Sequence, residues 1–123
     1  MPSGGIISNA EDLNKWDQKL HNGEVLKLKT YKSMISYQIL GRSAYFGNEI
    51  IGYGYGVRID DNNNPRVIGH GGRGWGFVSA KFYIPAKDID VIILENVFNV
   101  DEGIVYNFEN KIRGLVLSSS LVK

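Results

Sequence analysis

Apolar positions recur along this chain with two different periods, and the change of period divides it. Leu13, Trp16 and Leu20 stand three and four residues apart, the spacing of one helix face. Ser8 or Asn9 can cap that helix, Glu11 and Asp12 fall in its first turn near the positive end of the dipole, and Gly23 lies past its end. A shorter helix is predicted over 29–36, with Tyr31, Met34 and Ile35 apolar. From 37 to 52 the signals conflict and predict an irregular excursion. Period two then takes over: Tyr53, Tyr55, Val57 and Ile59 alternate with Gly54, Gly56, Arg58 and Asp60. The cluster Asp60-Asp61-Asn62-Asn63-Asn64-Pro65 predicts a turn, and 66–72 a return strand entering a glycine-rich corner at 71–76. A third strand over 77–84 places Val78, Ala80, Phe82 and Ile84 on one face, and the apolar run 89–94 predicts a buried central strand. Ile104, Val105, Phe108, Ile112, Leu115 and Val116 form a stripe that predicts a helix over 101–117 lying across the sheet, before a polar tail expected to fray. The expected architecture is α+β: a helical lead-in, an antiparallel sheet of about four strands and a covering C-terminal helix. There is no internal repeat and no long linker.

Size and composition narrow this without changing it. A chain of 123 residues makes one domain, 43% hydrophobic and 22% charged, close to globular averages. The 15 glycines are about twice the usual share of ~7% and gather in 41–56 and 69–76, where tight turns and close backbone approaches are expected. Net charge is +1, and the densest basic patch, Lys27, Lys29, Lys32 and Arg42, has no interleaved Trp or Phe for base stacking. It reads as a solvated helix face, so no nucleic-acid partner is expected. There are no cysteines and only two histidines, His21 and His70, so neither a disulfide framework nor a metal site is expected, and no cofactor. No stretch approaches the ~18 apolar residues of a membrane span. Met1-Pro2-Ser3-Gly4-Gly5 has neither the basic nor the apolar region of a signal peptide, and the style of the opening suggests the interior of a longer protein.

The most unusual stretch is Ile68-Gly69-His70-Gly71-Gly72-Arg73-Gly74-Trp75-Gly76-Phe77. Glycine backbone there can lie directly against a ligand, with N–H groups aimed at a developing oxyanion and His70 as donor or proton partner. A bulged strand ending in an exposed histidine accounts for the same residues equally well. The formal G-x-G-x-x-G at Gly69, Gly71 and Gly74 is not a dinucleotide fingerprint, because a strand rather than a helix follows it. Elsewhere Trp16 is expected in the core, Asp12 at the helix dipole, His21 as a helix-end cap and Glu95 at a strand end.

A run of landmarks resembles one family. Gly4-Gly5-Ile6-Ile7-Ser8-Asn9-Ala10-Glu11-Asp12-Leu13 resembles the helix start of the class C β-lactamase and D-Ala-D-Ala carboxypeptidase superfamily. Asn22-Gly23 with Val25-Leu26, Tyr53-Gly54-Tyr55-Gly56-Val57, Gly69-His70-Gly71-Gly72, Gly76-Phe77, Ile84-Pro85 and Leu94-Glu95-Asn96 are similar to its later landmarks, in the same order. The resemblance implies a penicillin-recognising serine hydrolase that acylates a serine with a β-lactam, a peptidoglycan D-Ala-D-Ala peptide or an ester, then hydrolyses the acyl-enzyme. Of the family's three motifs only H-x-G maps here. His70 would contact the substrate carboxylate or assist proton transfer, and Gly71 and Gly72 would let substrate lie along the strand. The Arg73 N–H would supply one oxyanion donor, and Trp75 would border the cleft. No Y-x-N occurs, and Ser120-Leu121-Val122-Lys123 matches S-x-x-K only at the chain terminus, where no helix supports it.

The expectation is therefore a single domain over 1–123, the C-terminal portion of such a hydrolase, inert alone, whose partner is the N-terminal part of the same protein. An exposed sheet edge would favour a homodimer. Family habit places the parent outside the cytoplasm. The rival expectation is a stand-alone binding module derived from the same fold, docking a peptide strand at the glycine corner.

Overall fold

Asn9 stands in extended backbone, and its side-chain oxygen accepts a 2.8 Å hydrogen bond from the Asp12 N–H. Helix α1 (Ala10–His21) therefore opens on a residue expected to cap it. Gly23 takes φ +82°, and the Glu24 N–H reaches back to the Lys19 carbonyl at 3.0 Å, a left-handed closure that suits glycine. The computed structural model describes residues 4–62, 64–74, 76–97, 104 and 106–123. Helix α2 (Leu28–Met34) follows, with Tyr31, Met34 and Ile35 half-buried.

Among the described residues six strands form one antiparallel sheet in chain order: β1 (Ile39–Ser43), β2 (Glu49–Tyr53), β3 (Arg58–Asp60), β4 (Val67–Gly74), β5 (Phe77–Ile84) and β6 (Ile89–Glu95). The α+β class holds, with six strands in place of about four. The extra pair is the β1–β2 hairpin, in the stretch expected to be irregular. Most of its core residues sit in its connection: Tyr45 and Phe46, in a 3₁₀ turn (Ala44–Phe46), are buried with Ile51 of β2, while most of β1 is exposed. Strand alternation is therefore missing where strands exist.

The opposite error occurs at 53–60, where alternation predicted one strand. Gly54 donates its N–H to the Val57 carbonyl at 2.8 Å and Gly56 takes φ +76°, so the run folds into a turn between β2 and β3. A Cβ on Gly54 would stand 2.1 Å from the Met34 carbonyl oxygen, so glycine lets α2 close on this turn. Tyr55 is consequently exposed instead of paired.

β5 matches its expected bounds, and Val78, Ala80, Phe82 and Ile84 all face the core. There Ala80, Phe82 and Ile84 meet Tyr45, Phe46, Ile51, Val67 and Val122, with Tyr106, Val116 and Leu117 packed against them. Helix α3 (Asn107–Ser118) covers this face. It begins later than the predicted 101: Tyr106 sits at φ 66°, outside helical geometry, and 101–103 and 105 lie outside the described residues. The tail does not fray, since Val122 is buried and the Lys87 ammonium donates to the Lys123 carbonyl at 3.1 Å. β6 is the last strand in the order and half-buried, not central; its apolar run reflects coverage from both sides.

The other face of the sheet buries Ile59 and Ile68 beside Tyr83 and Lys81, and α1, with its Leu20 buried, makes polar contacts to it as well. Asp17, 1% exposed, pairs with Lys81; Asn14 donates to Asp90 at 3.1 Å; His21 stacks on Tyr83 with ring centroids 3.9 Å apart. Positions 14, 17 and 21 make one helical stripe. That stripe, set beside the apolar one, meets the sheet, and Trp16 is left 50% exposed instead of in the core. His21 is no cap: its Nδ1 is 2.8 Å from the Tyr31 hydroxyl, and burial pushes its pKa down to about 4.

Burial, and then the neighbouring Asp17 carboxylate, push Asp90 up to about 6 from an ordinary 3.8. A carboxyl that binds its proton more tightly when folded contributes stability below the unfolded value and loses it as pH rises through the folded one. Asp90→Asn removes the charge and keeps an acceptor for Asn14. Urea denaturation should find the variant level with wild type near pH 4 and more stable by about 1 kcal/mol at pH 8, a figure reduced for the partial exposure of the group. Equal stability at both values would show that Lys81 already compensates the charge.

Candidate functional site

β4 owes its place to Gly69. A Cβ there would stand 2.1 Å from the Lys81 carbonyl oxygen, so only glycine permits this approach of β4 to β5. From that point the register runs His70↔Lys81, Gly71↔Ala80, Gly72↔Ser79, Arg73↔Val78 and Gly74↔Phe77. On its other edge β4 pairs with β3 only at Val67, Ile68 and Gly69, because β3 begins at Arg58. No described strand pairs with that edge from His70 to Gly74. Among the described residues the strand thus has one edge fully committed and the other without a partner strand over the glycine-rich part.

Alternation sorts this stretch by face. His70 and Gly72 share the α1 side with Lys81 and Ser79; Gly71 and Arg73 share the α3 side with Ala80 and Val78. A Cβ on Gly72 would lie 2.7 Å from the Ser79 Oγ, and one on Gly71 would lie 3.0 Å from the Tyr106 ring. The backbone here is flanked closely by hydroxyl-bearing side chains, with no side chain of its own between. His70, Gly71 and Gly72 are half-buried and Arg73 is exposed. These four predicted site residues are therefore contiguous on one open edge. The fifth, Trp75, lies outside the described residues.

His70 is held at both ring nitrogens. Nδ1 is 2.6 Å from the Gly71 carbonyl oxygen and Nε2 is 3.2 Å from the Tyr53 hydroxyl, with the two rings edge to face at 5.8 Å. The Arg58 guanidinium lies 5.2 Å above the Tyr53 ring. Burial is the largest cause lowering the His70 pKa below its ordinary 6.5, and Arg58 and Lys81 lower it further against the pull of the Gly71 carbonyl. The imidazole is therefore neutral at pH 7. Lys81 is restrained twice, by Asp17 at its ammonium and by the Tyr45 hydroxyl, which donates to its carbonyl.

Tyr53, Ser79 and Lys81 are the neighbours that sequence reasoning did not assign to the site. Tyr53 appeared only as the first residue of a Y-G-x-G landmark, 17 positions before His70. Its role depends on the two turns that fold β2, β3 and β4 side by side.

The arrangement offers a strand edge, a neutral imidazole and nearby cations, which suits an extended substrate carrying a carbonyl or carboxylate. It offers no activated nucleophile: among the described residues no serine hydroxyl is hydrogen-bonded to an ammonium or imidazole. Ser120 follows the end of α3 instead of opening a helix. Nor does any group of three His, Asp or Glu side chains among the described residues stand close enough to hold a metal ion. A cleft of about 430 Å³ lies between α2 and the turn after β3, lined by Tyr37, Asp61 and Arg66 among others and by no residue of β4. Polar groups converge at the β4 edge, whereas in that cleft Tyr37, Asp61 and Arg66 are already bound to one another.

Alanine substitutions along β4 test the backbone contacts directly. Gly69→Ala must displace backbone and should cost roughly 3 kcal/mol in urea denaturation, whereas Gly74→Ala, with nothing within 4 Å of the new methyl, should stay within about 0.5 kcal/mol of wild type.

Comparison with protein families matches residues 1–111 to the family described as Beta-lactamase. No curated protein and no solved structure matches the chain.

Proposed function

The chain belongs to the beta-lactamase family, matched over residues 1–111, and from that premise we propose that it forms the substrate-docking wall of a serine acyl-transfer hydrolase. The observation that carries this reading is the edge of β4 from His70 to Gly74, open to a partner strand and backed by the restrained His70. A peptide or peptide-like substrate lies along that edge in extended form, its backbone pairing with β4. His70 meets the substrate carboxylate or assists proton transfer, and the absence of side chains at Gly71 and Gly72 admits the substrate backbone. The Arg73 N–H donates to the oxyanion as the carbonyl carbon becomes tetrahedral.

The nucleophile in this reading is a serine of an S-x-x-K motif, accompanied by a Y-x-N tyrosine, in a segment of the same protein outside the present sequence. Its hydroxyl oxygen bonds to the substrate carbonyl carbon, the C–N or C–O bond to the leaving group breaks, and the hydroxyl proton passes to that group. Water then hydrolyses the ester formed on the serine. Substrates of this class are β-lactams, D-Ala-D-Ala peptides and esters, and a peptidoglycan substrate would place the parent outside the cytoplasm. The outer edge of β6, which no described strand pairs, is suited to receive a strand from the missing segment. Ile39 and Leu40 on β1, each 65% exposed, make the opposite edge the one through which a separate chain self-associates.

Fluorescent penicillin tests the assignment. The 123-residue chain should remain unlabelled, while the whole gene product should become covalently labelled at a serine upstream of Gly4. Labelling of the chain by itself would overturn the division of roles. A whole product that neither labels nor turns over D-Ala-D-Ala peptides or simple esters would sink the acyl-transfer reading.

A further inference from the structure

The two contacts of His70 determine more than its position. A carbonyl oxygen can only accept, so the 2.6 Å contact between Nδ1 and the Gly71 oxygen requires the proton on Nδ1. In a neutral imidazole Nε2 is then a lone-pair acceptor, and the Tyr53 hydroxyl 3.2 Å away is the donor to it. The alternative tautomer would set the Nδ1 lone pair against the Gly71 oxygen, two acceptors in contact. The charged imidazolium would face Arg58 over the Tyr53 ring on one side and Lys81 across the hairpin on the other. On that face the carboxylates of Asp17 and Asp90 are engaged by Lys81 and by the Asn14 amide. Tyr53 of β2, Arg58 of β3 and Lys81 of β5 thus favour the same protonation state.

We propose that Tyr53 is a positioning residue of this site: its hydroxyl donates to His70 Nε2 and, with the Gly71 carbonyl, locks the imidazole as the neutral Nδ1–H tautomer on the open edge of β4. The polar unit facing a substrate is then the hydroxyl–imidazole pair, with the phenol oxygen keeping its lone pairs for an incoming donor. The catalytic meaning of the pair rests on the acyl-transfer reading; the tautomer and its cause do not. Ordinary burial of a tyrosine would place the ring without needing its hydroxyl, so the hydroxyl is what the test must remove.

Long-range proton–nitrogen correlation NMR on the nitrogen-labelled chain reads the tautomer directly, with His70→Gln supplying the assignment. In the wild type His70 should show a protonated Nδ1, an unprotonated Nε2 and a titration midpoint below the ordinary histidine value. Tyr53→Phe keeps the ring and removes the donor. The His70 midpoint should then rise by roughly half to one pH unit, the equivalent of one neutral hydrogen bond. A second tautomer should appear as Nε2 meets water. His21, held by Tyr31, serves as the internal reference: Tyr31→Phe should move His21 and leave His70 unchanged. A wild-type His70 protonated at Nε2, or a Tyr53→Phe variant with unchanged midpoint and tautomer, would overturn the proposal. Should Tyr53→Phe not fold, the wild-type spectrum decides the tautomer alone. A correct tautomer in a parent protein that no penicillin, peptide or ester acylates would sink the acyl-transfer reading and leave this assignment standing.

Discussion

The pairing of β4 with β5 sets the register from which both faces of the sheet follow. Seven consecutive pairs run from Ile68↔Tyr83 to Gly74↔Phe77, and Gly69 anchors them because only a residue without a Cβ fits against the Lys81 carbonyl. A slip of one residue would turn Val78, Ala80, Phe82 and Ile84 away from the core and carry Lys81 into it. The same register sets His70 across from Lys81 and Gly72 across from Ser79. Core and candidate site are thus two readings of one alignment, and neither can shift without the other.

The two sides of the sheet combine apolar and polar contact in different proportions. On the α3 side Phe46, Val67, Phe82 and Ile84 are nearly or fully excluded from water, and one buried ion pair, Arg113 donating to Asp60 at 2.9 Å, ties the helix to β3. On the α1 side, contact is made by Asp17 with Lys81, Asn14 with Asp90 and His21 with Tyr83. Such an interface is directional: removing one partner leaves a buried group unmatched, which costs more than the contact itself contributes. Its location is telling, because Lys81 is both the anchor of α1 and the cation opposite His70. The helix therefore stabilises the sheet and conditions the electrostatics of the strand edge through one side chain.

Some of this was legible in the sequence. The cap at Asn9, the glycine stop at Gly23 and the period-two face of β5 depend on neighbours within a few residues, and each appears where its pattern places it. The contiguity of His70, Gly71, Gly72 and Arg73 needs no folding argument at all. Illegible features depend on contacts distant in sequence. The β1–β2 hairpin buries its turn while most of β1 stays exposed; Gly54 breaks an alternating run because α2 presses on it; Trp16 yields to Asp17 because Lys81 of the sheet pairs with that carboxylate. The partnership of Tyr53 with His70 belongs to the same class, since two intervening turns create it. The family resemblance supplied the order of the landmarks, and the fold supplied the reason they converge.

The open edge of β4 also acts as a ruler. It runs for the five residues from His70 to Gly74, bounded at one end by Arg58 of β3 and at the other by the turn into β5. At about 3.3 Å per strand residue this is roughly 17 Å. Any segment that docks there by backbone pairing has room for about five residues in register, and a longer one must bend away at Gly69 or at Gly76. Selection by length is therefore built into the sheet independently of any side chain.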